Sequence, residues 1–414
     1  MDFLRNSLTI GNDASDAAVK SVLSQLPFSE REVEGLLQVW EGPHVIKMLY
    51  NILLQHEEFV VYIDVNMSKK FTQDPYVNCC LSISRHIKAE LGLSEEESLP
   101  DDLIIDIIFS PNTTIKNLLC SASDDFRQML EMCDEWRTVS STLTNPDDCY
   151  LYVLSQVLEQ GETVRELYRQ RLEASGFIMM EDTAGSALAV DLINVSKLCV
   201  SDMDASLRAA VPIKEEARGR SFIINVDGTF GAQIEAILRN LNLTFGKYIR
   251  SVNVSGSVAG LVGKRGDVVL PTKLLFSKQT FGEDSTDETR LCNEGSITEE
   301  DVLPFLGKDT VALHRGGCVT IPGIILYSDS VLRFYKVVHC CTAVDMRSSY
   351  VARQMEESRR TEILKKGLIK RFLFYMDSVP LSEEDDTGSS SQVTEILFSV
   401  YATTRSLLNL ILSS

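Results

Sequence analysis

Three short stretches of this chain put chemically capable side chains where the backbone changes direction. In the first, Asn253-Val254-Ser255-Gly256-Ser257-Val258-Ala259-Gly260-Leu261 leads through Gly263 to Gly266-Asp267-Val268-Val269-Leu270-Pro271-Thr272. A strand ending in small residues exposes backbone N–H groups and a hydroxyl at one place, here Gly256 and Ser257, which suits an anion or a sugar oxygen. The second is Asp345-Met346-Arg347-Ser348-Ser349, a strand end passing directly into a helix. Its carboxylate could hold sugar hydroxyls, its thioether could pack a ring, and its guanidinium could bind a phosphate through two parallel bonds. The third, Tyr375-Met376-Asp377-Ser378-Val379-Pro380-Leu381, sets a carboxylic acid beside a hydroxyl at a strand terminus, the arrangement of a candidate proton donor. Each stretch also has a plainer use: a tight turn, an Asp345 N-cap with Met346 in the core, and a turn-forming aspartate ahead of proline.

The elements that carry these stretches differ along the chain. The first part reads as helical, with Ser29 and Glu32 in capping-box spacing, a Gly42-Pro43 break, and amphipathic runs in HVIKMLYNILLQ and PYVNCCLSISRHIKAELGL. Residues 94–103 form an acidic connector, and helices are expected in IKNLLCSASDDFRQMLEMCDEW and DDCYLYVLSQVLEQGETVRELYRQRLEAS. Near residue 215 the texture changes to short β-rich runs bounded by glycine: 221–226, 248–256, 266–276, 309–321 and 371–376. These alternate with helices over 232–241 and 346–367, and a closing helix follows the polar loop 382–392. Such alternation predicts an α/β domain with helices on both faces of a sheet and a site at the strand ends. The expected organisation is therefore a mostly α-helical domain over 1–200 and an α/β domain over 215–414.

Composition narrows the function. The chain has 414 residues with a net charge of −19, and the acidic excess lies mostly in residues 1–150. Binding to nucleic acid or an anionic membrane needs a basic footprint, so neither is expected. The basic run 359–371 reads as a solvated helix face. No apolar run approaches the roughly 18 residues that span a bilayer, and the N-terminus has no signal pattern, which predicts a cytoplasmic protein. The ten cysteines include no CxxC and the five histidines show no ligand spacing, so reduced thiols and no metal or other cofactor are expected.

Taken together and in order, the three stretches, with Arg315-Gly316-Gly317-Cys318-Val319-Thr320 between the first two, resemble the nucleoside phosphorylase superfamily, and most closely its AMP nucleosidase-like and purine nucleosidase-like members. GSVAGL followed by GDVVLPT is similar to the family's glycine turn, GGCVT to its next strand, VDMRSS to its acidic-Met helix start, and MDSVPL to its last strand end. INVDGTFGAQIEAIL is similar to its first glycine loop. The resemblance covers about residues 215–414 and implies a three-layer αβα fold that cleaves the N-glycosidic bond of a purine nucleoside or nucleotide. Carried over, Asp377 would protonate the leaving base, with Ser378 beside it. Gly256 and Ser257 would hold phosphate, water or a sugar oxygen, and Gly228 would shape the first loop. Asp345 and Met346 would meet the ribose.

Three positions depart from the family pattern. Arg347 stands where the family has a ribose-gripping glutamate, and arginine cannot accept a hydrogen bond. The family's Ser-Asp is here Asp377-Ser378, so the aspartate is shifted by one position with a compensating insertion, or the donor is lost. Ala259 replaces a glycine. No arginine directly precedes the Gly256-Ser257 turn, which favours water over phosphate as nucleophile, with phosphate kept as a possible co-substrate. The alternative is a catalytically degenerate nucleotide- or nucleoside-binding sensor. The family's habit also implies a homo-oligomer.

Overall fold

The computed structural model describes residues 16–26, 33, 36–37, 44–55, 75–120, 154, 162–180, 188–211, 219–229, 231–277, 288–306, 311–321, 328–382 and 392–414. Its contacts divide the chain into two units, one of residues 1–75 with 184–187, the other of 76–183 with 188–414. In the first, helices α1 (Asp16–Leu23) and α2 (His44–Gln55) bury Val19 and Leu23, and Val45, Ile46 and Leu49, in a small core with Val33 and Leu36. The heptad-like spacing on α2 explains why one face is apolar.

The second unit begins with α3 (Pro75–Glu90), which has proline at its first position and ends at Gly92 in the left-handed region (φ 69°). There follow β1 (Ile104–Phe109), α4 (Asn112–Cys120), α5 (Glu162–Ala174), β2 (Phe177–Met180), β3 (Ala189–Asn194), β4 (Ser221–Asp227), α6 (Gln233–Phe245), β5 (Ile249–Gly260) and β6 (Val268–Phe276). The remainder is β7 (Glu288–Leu291), the short α7 (Glu299–Val302), β8 (Leu313–Thr320), α8 (Asp329–Val337), β9 (Cys341–Asp345), α9 (Ser348–Arg360), β10 (Ile369–Ser378) and α10 (Gln392–Leu412).

All ten strands join one sheet in the order β10-β6-β8-β9-β5-β1-β4-β3-β2, with β7 on β6. A further pairing of β10 with β5 closes five strands into a ring at one end. β5 makes this possible by changing partners along its length: residues 249–254 pair with β1, and Ala259 and Gly260 pair with β9. Strand side chains alternate between two apolar cores. Ile105, Ile107 and Phe109 face a core with Ile83 and Ile87 of α3, Leu238 and Leu241 of α6, and Val351 and Met355 of α9. Ile108, Ile193 and Ile223 face Leu118 of α4, Leu172 of α5, and Leu407 and Ile411 of α10. The architecture is α/β in three layers, and burial on both faces accounts for near-continuous apolar runs such as IIDIIF.

The expected helical domain over 1–200 is corrected here. β1, β2 and β3 all come from that stretch, β1 lies at the centre of the sheet, and the two units part at residues 75 and 76. A six-residue strand buried on both faces has no period of its own, and Asp106 interrupts its apolar run. The helix expected over 346–367 ends at Arg360, where Glu362 (φ 59°) and Gly367 (φ 90°) turn the chain. The expected Ser29–Glu32 cap, and most of the helices expected after Cys120 and before Glu162, lie outside the described residues.

Candidate active site at the strand ends

The C-terminal end of β4 brings Asp227 to the mouth of the sheet. One carboxylate oxygen accepts from the Gly228 N–H (2.6 Å) and the other from the Asn112 N–H at the start of α4 (2.9 Å). Gly228 takes a left-handed φ of 74°, and its N–H is directed at Asp227. Beside this loop lie Ser110 and Thr229, both almost wholly buried, whose hydroxyls have no hydrogen-bond partner among the described residues. Hydroxyls in that position are open to a ligand or a water.

Gly256 lies opposite Phe374, and Ser257 opposite Tyr375, in the parallel pairing of β5 with β10. The Arg347 guanidinium packs directly on the Gly256 backbone: a β-carbon at Gly256 would overlap its Nη2 and lie 3.0 Å from its Cζ. Among the described residues that guanidinium donates no hydrogen bond and joins no ion pair, so its donors are available. Arg347 is aimed by its backbone. Asp345 accepts from the N–H of Arg347 (3.1 Å) and of Ser348 (2.6 Å), and from the hydroxyls of Thr320 (2.6 Å) and Ser348 (3.0 Å). Both of its oxygens are thus occupied inside the fold, so the residue expected to meet the ribose instead anchors the start of α9. Met346 is half-buried between the two.

On β10 the pairing with β5 is regular up to Met376 and resumes at Ser378, leaving Asp377 in an irregularity of the strand. Such a bulge re-aims a side chain without disturbing its neighbours. The shift of one residue inferred from Asp377-Ser378 therefore has a structural counterpart, and the Ser378 hydroxyl donates to Asp377 (3.0 Å). The segment is pinned from the other side, where the Gly266 N–H bonds the Met376 carbonyl and the Met376 N–H bonds the Asp267 carbonyl. Tyr375 gathers the cluster. Burial pushes its hydroxyl up to about 12, Arg347 pulls it down, and the carboxylates of Asp377 and Asp227 push it up again. These three charges therefore act on one buried phenol that stays protonated at neutral pH.

Of the residues singled out from sequence, Gly256, Ser257, Arg347, Asp377 and Ser378 share the mouth of β5 and β10. Asp227, Tyr375, Ser110 and Thr229 were not singled out. Asp227 and Thr229 stood inside the quoted glycine loop, and Tyr375 two residues before Asp377, but nothing in their spacing marked them. Among the described residues there is no group of three or more His, Cys, Asp or Glu side chains that could hold a metal, and no helix is long and apolar enough to cross a membrane.

A family model described as a family of unknown function, DUF6909, matches residues 1–413. The chain belongs to that family. No curated protein matches the sequence. Among solved structures, the DUF6909 chain is similar to futalosine hydrolase of Helicobacter pylori strain 26695 (11% identity, TM-score 0.43, 75% of this chain and 97% of that one). It is also similar to the 5′-methylthioadenosine/S-adenosyl homocysteine nucleosidase of Helicobacter pylori (12%, 0.42, 75% and 98%) and to the purine nucleoside phosphorylase of Toxoplasma gondii (13%, 0.40, 75% and 94%).

Proposed function

We propose that this chain cleaves the N-glycosidic bond of a purine nucleoside or nucleotide. The observation that carries the reading is the unpaired Arg347 guanidinium on Gly256, with Asp377 and Tyr375 grouped at the same strand ends. Cleavage breaks the bond between the anomeric carbon and the base nitrogen, and the bonding pair leaves with the base. Asp377 passes a proton to the departing base, and a nucleophile closes on the anomeric carbon from the opposite side. Arg347 and the Gly256-Ser257 segment hold an anion where that nucleophile or a 5′-phosphate would sit. The sequence favoured water because no arginine directly precedes the turn. Gly256 and Ser257 lie within β5 rather than in the expected turn, and a guanidinium reaching them from the residue before α9 supplies the missing charge, so phosphate is the nucleophile we assign.

The second reading, a nucleotide sensor without turnover, is favoured by one observation: the start of α9 offers no free carboxylate to accept from ribose hydroxyls, since Asp345 is filled and Arg347 only donates. The test is release of free base from purine nucleosides and nucleotides, with and without phosphate, by chromatography. Phosphate-dependent release that falls by about 10²–10⁴-fold in Asp377→Asn supports the enzyme. Absence of release, with thermal stabilisation by the same compounds, supports the sensor.

A further inference from the structure

A second concave feature lies far from the strand ends. The edge of β6 is shared: Val268 and Val269 pair with β10, and Lys273–Phe276 pair with β7. Between the two pairings the edge is interrupted at Pro271, which has no N–H to give. Asn293, with a left-handed φ of 63°, fills the gap with its side chain. Its amide donates to the carbonyls of Pro271 (2.9 Å) and Phe372 (2.8 Å), and its oxygen accepts from the Phe372 N–H (2.8 Å). β7 and β10 are thereby held apart, and α9 roofs the notch between them.

The notch has a volume of about 600 Å³, within the range of small-molecule sites. Arg290, Arg360 and Lys370 line it together with the apolar Leu291, Ala352 and Phe372. Among the described residues of its wall the carboxylate is Glu356, already engaged by Arg359 (2.8 Å) and Arg360 (3.0 Å). The Lys370 ammonium joins no ion pair among the described residues. In a chain of net charge −19, the described wall, with Lys370 outside any ion pair among the described residues and Arg360 shared with an already paired Glu356, favours an anion. Lys370 precedes Asp377 by seven strand residues, roughly 23 Å at the usual rise, so the notch is separate from the candidate active site.

We propose that this notch binds a small phosphate ester, its phosphate against Lys370 and Arg360 and its apolar body against Phe372 and Leu291. The proposal does not depend on the catalytic reading. It is tested by calorimetric titration of the full chain at low salt with phenyl phosphate and, separately, with inorganic phosphate. Wild type and Arg347→Ala bind phenyl phosphate equally well and more tightly than inorganic phosphate, while Lys370→Gln and Arg360→Gln each weaken it by about tenfold. Arg360 lies on the exposed end of α9, so its variant keeps the test open if Lys370→Gln folds poorly. Unchanged affinity in both variants, binding lost in Arg347→Ala, equal affinity for the two probes, or no binding at millimolar concentration overturns the proposal.

Discussion

Replacing Gly256 with alanine tests whether Arg347 must rest on that strand. The new methyl would occupy the space of Nη2, with Cζ only 3.0 Å away. Ordinary carbon–nitrogen contacts lie near 3.5 Å, so the guanidinium must withdraw by roughly 1 Å or more. Its side chain is flexible and only half-buried, so most of the cost comes from the backbone: Gly256 holds a φ of 158°, which L residues rarely adopt, and stability falls by about 1–3 kcal/mol. A misplacement of about 1 Å in a positioning group lowers turnover by about 10²-fold, equivalent to about 2.7 kcal/mol in the barrier. The assay is kcat/KM for base release at saturating phosphate in wild type, Gly256→Ala, Arg347→Ala and the double variant. If the methyl acts by displacing the guanidinium, the double variant is no worse than Arg347→Ala. Additive losses would show that Gly256 serves the site independently of Arg347 and would refute the reasoning.

Two further outcomes follow from the charges inside the fold. Asp204 is pushed up by burial, but the charge and hydrogen bonds of Arg405 (2.8 and 3.1 Å) and the bond from Ser206 hold its carboxyl below the ordinary range. The wild-type pair therefore contributes stability that is complete above the unfolded carboxyl value, near pH 4, and is lost as pH falls through the folded value. Arg405→Met leaves the buried carboxylate without its counter-charge, held only by the bonds from Ser206, costs about 3 kcal/mol at neutral pH, and raises its folded value. The variant is then more stable at pH 5 than at pH 7 in chemical denaturation, the reverse of wild type. Asp345→Ala removes the acceptor of four donors and lowers stability by about 2–3 kcal/mol, whereas Asp345→Asn keeps one carbonyl oxygen and loses about 1 kcal/mol. If Asp345 aims Arg347, the alanine variant raises KM for phosphate and the asparagine variant restores most of it; equal KM in both variants would mean that its role ends with the helix start.

The candidate site was legible because its residues form short local stretches of glycine, hydroxyl and charged side chains within or just beyond apolar strands, although Gly256 and Ser257 lie inside β5 rather than in a turn. Strands at 221–227, 249–260, 268–276, 313–320 and 369–378 could be read from β-rich runs and their bounding glycines, and the end of the one at 341–345 from its passage into a helix. What could not be read was tertiary. β1 carries six residues whose place is set by β4 and β5, more than a hundred positions downstream. Asp227 looked like a turn residue and Tyr375 like a strand aromatic, and only their convergence gives them a shared environment. Asp345 bonds the N–H groups of Arg347 and Ser348 at the helix start, although the N-cap position itself is Arg347 and Met346 is only half-buried. Arg347, identified as a departure from a motif, is the residue whose surroundings are most unusual, because its guanidinium meets a glycine rather than a carboxylate.

The position of β1 carries a consequence for how such a chain is made and inherited. Its backbone is bonded on one side to β4 and on the other to β5, so it separates the two strands that bring Asp227 and Gly256 to the mouth. A ribosome releasing this chain delivers β1 more than a hundred residues before either neighbour exists, and the apolar IIDIIF segment must wait, shielded, until both arrive. For the same reason residues 215–414 are not a cassette that recombination could lift out and reuse. Without residues 104–109 the facing edges of β4 and β5 would be open, and such edges template pairing with other chains. A lineage carrying this arrangement keeps or loses both halves together.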